Sequence, residues 1–114
     1  MQLEERHAGK ILVVKVLESR LDAKIAGEFK EKIAGHITHG DSQIVLDLSA
    51  VTFVDSSGLG AIVSCLKMLR GQGQLVLCGM PDTVMSTFKL TRMDKVFRIL
   101  PTHVEAIAAL SHKA

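Results

Sequence analysis

The sequence predicts an α/β domain with a mixed, mostly parallel sheet of four to five strands packed with about four helices. Short apolar runs at residues 11–17, 44–48 and 75–78 alternate with segments whose apolar residues recur at helical spacing. That alternation is the pattern of parallel strands joined by crossover helices. Glycine, proline and aspartate punctuate the junctions. The 114 residues fit one domain, taken as residues 1–114, and a 47% hydrophobic share fills a core without disulfide or metal.

Residues 2–7 are polar and read as an edge strand, which makes the sheet mixed. Gly9 and Lys10 turn the chain into the run 11–17, where Ile11, Val13, Val14 and Val16 suit a buried strand. Asp22 is placed to N-cap the next segment. There Ile25, Ala26, Phe29, Ile33 and Ile37 share one helical face, with Lys24, Glu28, Lys30, Glu31 and Lys32 largely on the other. Gly40 and Asp41 end that helix, and residues 44–48 are sized for a central strand.

In the second helix Leu59, Ile62, Val63, Leu66 and Leu69 fall on one face, closed by Gly71 or Gly73. Residues 75–78 form a third apolar strand. Pro81 and Asp82 open a weaker helix through Val84, Met85 and Phe88. Residues 96–100 are a short strand or extended link. Thr102 and Glu105 have capping-box spacing, which predicts a last helix through Ile107, Ala108 and Leu110.

Several functions are excluded by composition. A net charge of +2 with scattered basic residues, four Phe and no Tyr or Trp leave neither an electrostatic footprint nor stacking platforms for nucleic acid. The apolar runs fall far short of the ~20 residues a bilayer span needs. The first ten residues have no apolar signal core, so a cytoplasmic protein is expected. Cys65 and Cys78 lack the spacing of a zinc site and read as small buried hydrophobes in a reducing compartment. His36 and His39 could share a metal on one helix. With no third ligand nearby, they read instead as late-helix residues that suit the dipole. No cofactor is expected.

Chemistry concentrates in Asp55-Ser56-Ser57-Gly58-Leu59-Gly60, which follows a strand and opens a helix. In α/β folds this position, beyond the carboxyl end of a strand, presents ligand-contacting groups. Ser56 stands at the N-cap or beside it, near free N–H groups and the positive end of the dipole. Gly58 and Gly60 leave room for another molecule to approach. One reading is a plain helix cap. A nucleotide cradle lacks both GxxxxGK[ST] and GxGxxG. A serine hydrolase lacks GxSxG, and nothing in the sequence places His103 as its base. The fourth reading is a phosphoacceptor hydroxyl on an interaction surface.

The stretch from Leu46-Asp47-Leu48-Ser49 through Asp55-Ser56-Ser57-Gly58-Leu59-Gly60 resembles the signature of STAS domains, specifically of anti-sigma factor antagonists. The resemblance extends over residues 10–110, through Leu21-Asp22, the Gly71-to-Cys78 helix end and strand, and Pro81. It implies a standalone STAS domain that performs no catalysis. Such a domain binds an anti-sigma factor that is also a serine kinase, and so frees the sigma factor. It also implies phosphorylation at Ser56, which ends that binding, and a PP2C-type phosphatase that reverses it. Asp22, Asp55, Ser56, Ser57, Gly58, Leu59 and Gly60 are the implied partner-facing residues.

One departure is Arg20, with Ser19 before it, where the family often has glycine before Leu-Asp. Arg20 is either a solvated loop residue or a cation able to pair with phosphate. Two rival functions remain open: a STAS adaptor subunit of a transporter or signalling complex with a structural serine, and a small-ligand or nucleotide-binding module.

Overall fold

Each central strand is apolar on both sides because helices cover both faces of the sheet. A computed structural model describes residues 1–111. In chain order its elements are β1 (Leu3–Ala8), β2 (Ile11–Val16), β3 (Arg20–Leu21), α1 (Ala26–Thr38), β4 (Gln43–Asp47) and β5 (Phe53–Val54). They continue with α2 (Ser56–Met68), β6 (Gln74–Cys78), α3 (Asp82–Leu90), a 3-10 turn (Met93–Lys95), β7 (Arg98–Leu100) and α4 (His103–Ser111).

The main sheet has the order β1-β2-β4-β6-β7, with β1 antiparallel to β2 and every other pair parallel. Its polar strand lies at the edge, where charged side chains discourage pairing with another chain. Side chains alternate between two cores. Leu12, Val14 and Val16 of β2, Ile44 and Leu46 of β4, and Leu75 and Leu77 of β6 meet α1, α2 and α3 on one face. Ile11, Val13, Val45, Val76 and Cys78 meet Ala106 and Leu110 of α4 on the other. Phe88 of α3 packs edge-on against Phe97, ring centroids 6.0 Å apart.

The parallel strands all point the same way, so the chain has two rims. At the amino rim lie the turns around Gly9, Gly40 and Gly71. At the carboxyl rim lie the starts of α1 and α2. There a second, two-stranded sheet pairs β3 with β5 in parallel, Arg20 opposite Phe53 and Leu21 opposite Val54. Two-residue strands carry no readable period, so nothing in the sequence announces this pair.

Local expectations needed correction in four places. Asp22 does not cap α1. That helix begins at Ala26 after Ile25, which supplies no side-chain cap. Asp22 instead forms the preceding turn: its carbonyl accepts from the Ile25 and Ala26 N–H groups, and its carboxylate from the Lys24 N–H. The first long strand stops at Val16, leaving Leu17 exposed. The deep face of α2 is Gly58, Ala61, Ile62 and Cys65, continued by Leu69, while Leu59, Val63 and Leu66 are half-buried. The small residues Gly58, Ala61 and Cys65 on that face let α2 lie close to its neighbours. In α4, Ala108 is exposed, and Ala106 takes the buried position instead. The cap expected at Thr102 does form, with its hydroxyl accepting from the Glu105 N–H at 3.2 Å.

Candidate functional site

After β4 the chain crosses the carboxyl rim, adds β5 and enters α2 through Asp55. This residue is extended (φ −93°, ψ −176°), and its carboxylate ties the first turn of α2 to the turn before α1. One oxygen accepts from the Gly58 N–H at 2.8 Å, the other from the Ala23 N–H at 3.1 Å. The Asp55 N–H donates to the Leu21 carbonyl at 3.3 Å. Asp55 is therefore the N-cap and Ser56 stands beside it, so the plain helix-cap reading of the serine falls away. An aspartate caps well and adds a negative charge to the positive end of the dipole, so no serine is needed.

Ser56 is the first helical residue, and both it and Ser57 are exposed. Among the described residues neither hydroxyl has a hydrogen-bond partner, and neither do their first-turn N–H groups. Ser57 and Gly60 line a shallow groove between α1 and α2 of about 290 Å³, with Ala26, Lys30, Ala61 and Ser64. Leu59 is half-buried and Gly58 fully so. A side chain at Gly58 would overlap the Leu21 carbonyl.

Asp22 lies beside this turn. One of its oxygens holds the Lys24 N–H at 3.1 Å; the other faces Arg20 Nε at 3.4 Å. The Arg20 guanidinium in turn lies over the Phe53 ring, 4.2 Å from its centroid. The structure thus gathers Asp22, Asp55, Ser56, Ser57 and Gly60 on one rim, with Gly58 and Leu59 turned inward. Arg20 is anchored and not simply solvated. Sequence reasoning missed Phe53, Leu21 and Ala23. The one available signal was an exposed aromatic just before the hexapeptide.

His103 is remote from this serine chemistry. It opens α4 on the opposite face, its Nδ1 3.9 Å from the buried Asp47 carboxylate. Together with Glu4, Arg6, Lys15 and Ser49 these two line a separate polar cavity of about 280 Å³. His36 faces Glu5 at 2.6 Å and Asp41 at 3.5 Å, and His39 bonds the Gly35 carbonyl at 2.7 Å. Among the described residues no group of three ligand side chains is placed to hold a metal. Burial pushes the thiols of Cys65 and Cys78 up to about 12.

The STAS domain family model matches residues 2–106. The chain belongs to the STAS domain family. This STAS domain is 29% identical over 100 residues to the anti-sigma-B factor antagonist of Listeria monocytogenes, covering 87% of this chain and 86% of that one. It is 28% identical over 113 residues to the anti-sigma F factor antagonist of Paenibacillus polymyxa, covering 97% and 93%. The Bacillus cell fate determinant SpoIIAA, solved in its phosphorylated form, shares the fold with a TM-score of 0.73 at 20% identity, over 96% of this chain and 99% of that one. The fold also matches 19% of the murine anion transporter Slc26a9, over 95% of this chain, with a TM-score of 0.80 at 16% identity. Among the described residues no helix is long and apolar enough to cross a membrane.

Proposed function

We propose that this STAS domain is a cytoplasmic anti-sigma factor antagonist switched by phosphorylation of Ser56. It binds an anti-sigma factor that is also a serine kinase. Phosphate transfer to Ser56 breaks the complex, and a PP2C-type phosphatase regenerates the binding form. The domain is thus a substrate and not a catalyst. The observation that carries this reading is the exposed Ser56 hydroxyl at the first position of α2, relieved of capping by Asp55. Its relatives' names and the phosphorylated state of SpoIIAA support it.

Charge explains how one modification can end binding and spare the fold. Phosphate adds about −1.5 to −2 charges. An exposed helix N-terminus stabilises a negative group by roughly 0.3–1 kcal/mol, so the domain tolerates it. A partner surface fitted to a hydroxyl does not. Leaving an unpaired charge buried there costs about 3–5 kcal/mol. At 1.4 kcal/mol per tenfold, affinity falls by roughly two to three orders of magnitude.

The test pairs mass spectrometry after incubation with the cognate kinase and ATP with calorimetric titration of the anti-sigma factor. Circular dichroism of both forms serves as the fold control. Labelling at Ser56, lost binding and unchanged spectra are expected. Phosphoprotein that binds as tightly as the unmodified form would overturn the switch. Absence of labelling would favour an adaptor role with a structural serine.

A further inference from the structure

Arg20 opens β3, whose partner strand β5 leads through Asp55 into Ser56. The β3–β5 register sets Leu21 level with Val54, and β3 then leads into Asp22 as β5 leads into Asp55. Arg20 leans along this direction, its Nε 3.4 Å from Asp22 Oδ2 and its guanidinium carbon 4.2 Å from the Phe53 centroid. The Asp22 contact is long and single. Neither terminal amino group of Arg20 bonds a carboxylate among the described residues, and the side chain is 60% exposed. A guanidinium of this kind is planar, permanently charged and able to grip a phosphate through two parallel N–H···O bonds. The Phe53 ring lies under it and limits where it can go.

The place where a phosphate would arrive is acidic. Asp22 and Asp55 both stand just ahead of Ser56, and the helix dipole offsets only part of the added repulsion. Lys24 belongs to the turn before α1, and Lys30 lines the groove beside Ser57. Both are ammonium point charges without the paired planar donors. We propose that Arg20 is the phosphate-receiving residue of this switch, moving from Asp22 to the phosphate on Ser56. The inference rests on the Ser56 reading above. In the unmodified protein Arg20 stands on the rim as a cation open to a partner's carboxylate. In the phosphorylated protein the phosphate occupies it. One modification then adds a dianion to the binding face and withdraws a cation from it.

The test needs no kinase: phosphoserine is encoded at position 56 of the full chain, and its second ionisation is followed by 31P NMR. That ionisation lies near pH 6 for a free phosphoserine. An Arg20 contact favours the dianion, so Arg20→Gln should raise the value by about half a unit or more. Arg20→Lys should recover less than half of the difference, because it restores charge without the fork. Amide spectra of each variant confirm folding, which the exposed position of Arg20 permits. Equal values in wild type and Arg20→Gln overturn the inference. A separate calorimetric titration of the phosphoserine protein with the anti-sigma factor judges the switch itself. Tight binding there would overturn the parent reading, while the NMR comparison still decides whether Arg20 holds the phosphate.

Discussion

Gly58 lies directly against the main-chain carbonyl of Leu21, and nothing larger than hydrogen fits between them. This contact seats the first turn of α2 on β3, so the geometry of the Ser56 turn depends on a missing side chain.

Gly58→Ala should therefore destabilise the domain by about 1–3 kcal/mol, the usual cost of overpacking where backbone must move. Gly60 gives the contrast, because a methyl there meets nothing within 4 Å. Gly60→Ala should raise stability by roughly 0.5–1 kcal/mol through helix propensity, while lowering partner affinity if the groove is a contact surface. Urea denaturation of the three proteins checks this. A Gly58→Ala protein as stable as wild type would refute the packing account.

Asp55 holds two N–H groups, one from the first turn of α2 and one from the turn that precedes α1. Asp55→Ala should cost about 1–2 kcal/mol, since the cap is lost and the Ala23 donor loses its acceptor. Asp55→Asn keeps one carbonyl-type acceptor and should fall between the two. An Asp55→Ala protein that melts at the wild-type temperature would show that the Ala23 bond and the cap contribute nothing.

Ser56 and Ser57 are both exposed, so accessibility alone does not choose between them. Consecutive helical residues point about 100° apart, and one docked kinase should reach one hydroxyl. With kinase and radiolabelled ATP, Ser56→Ala should abolish incorporation and Ser57→Ala should leave a substantial part. The reverse pattern would assign the phosphate to Ser57, which opens onto the α1–α2 groove.

The buried thiols give a pH dependence with a definite sign. Burial raises Cys65 and Cys78 from an ordinary value near 9.0 to about 12. The unfolded chain then loses these protons first as pH rises, so folding stability is intact below pH 9 and falls between 9 and 12. The slope is at most about 1.4 kcal/mol per pH unit for each thiol. Urea midpoints measured from pH 7 to 11 should show that fall, and Cys65→Ala should halve it. Native protein at pH 8 should also resist thiol reagents that label it at once in urea.

The sheet was legible because its strands are continuous apolar runs, each bounded by glycine or aspartate and separated by helix-length segments. The polar edge strand and the Thr102 cap could be read by the same local rules. The site was legible as a segment only. Helix propensity does not distinguish a capping serine from a capping aspartate one position earlier, and Asp55 won through a bond to Ala23 that is 32 residues away in sequence. For the same reason Asp22 looked like a cap. Its turn geometry depends on β3 pairing with β5, a long-range event of two residues that no periodicity announces. Arg20 stood out in the sequence as a departure, but its stacking on Phe53 became visible only with that pairing.

The separation of the two rims has a practical use. All the residues proposed to meet a partner sit where the parallel strands end, while the turns at Gly9, Gly40 and Gly71 sit where they begin. The hairpin tip at Gly9 and Lys10 has open space around its glycine. A fluorophore, an affinity tag or an entire reporter grafted there would project away from the switch and could follow its partners without obstructing them.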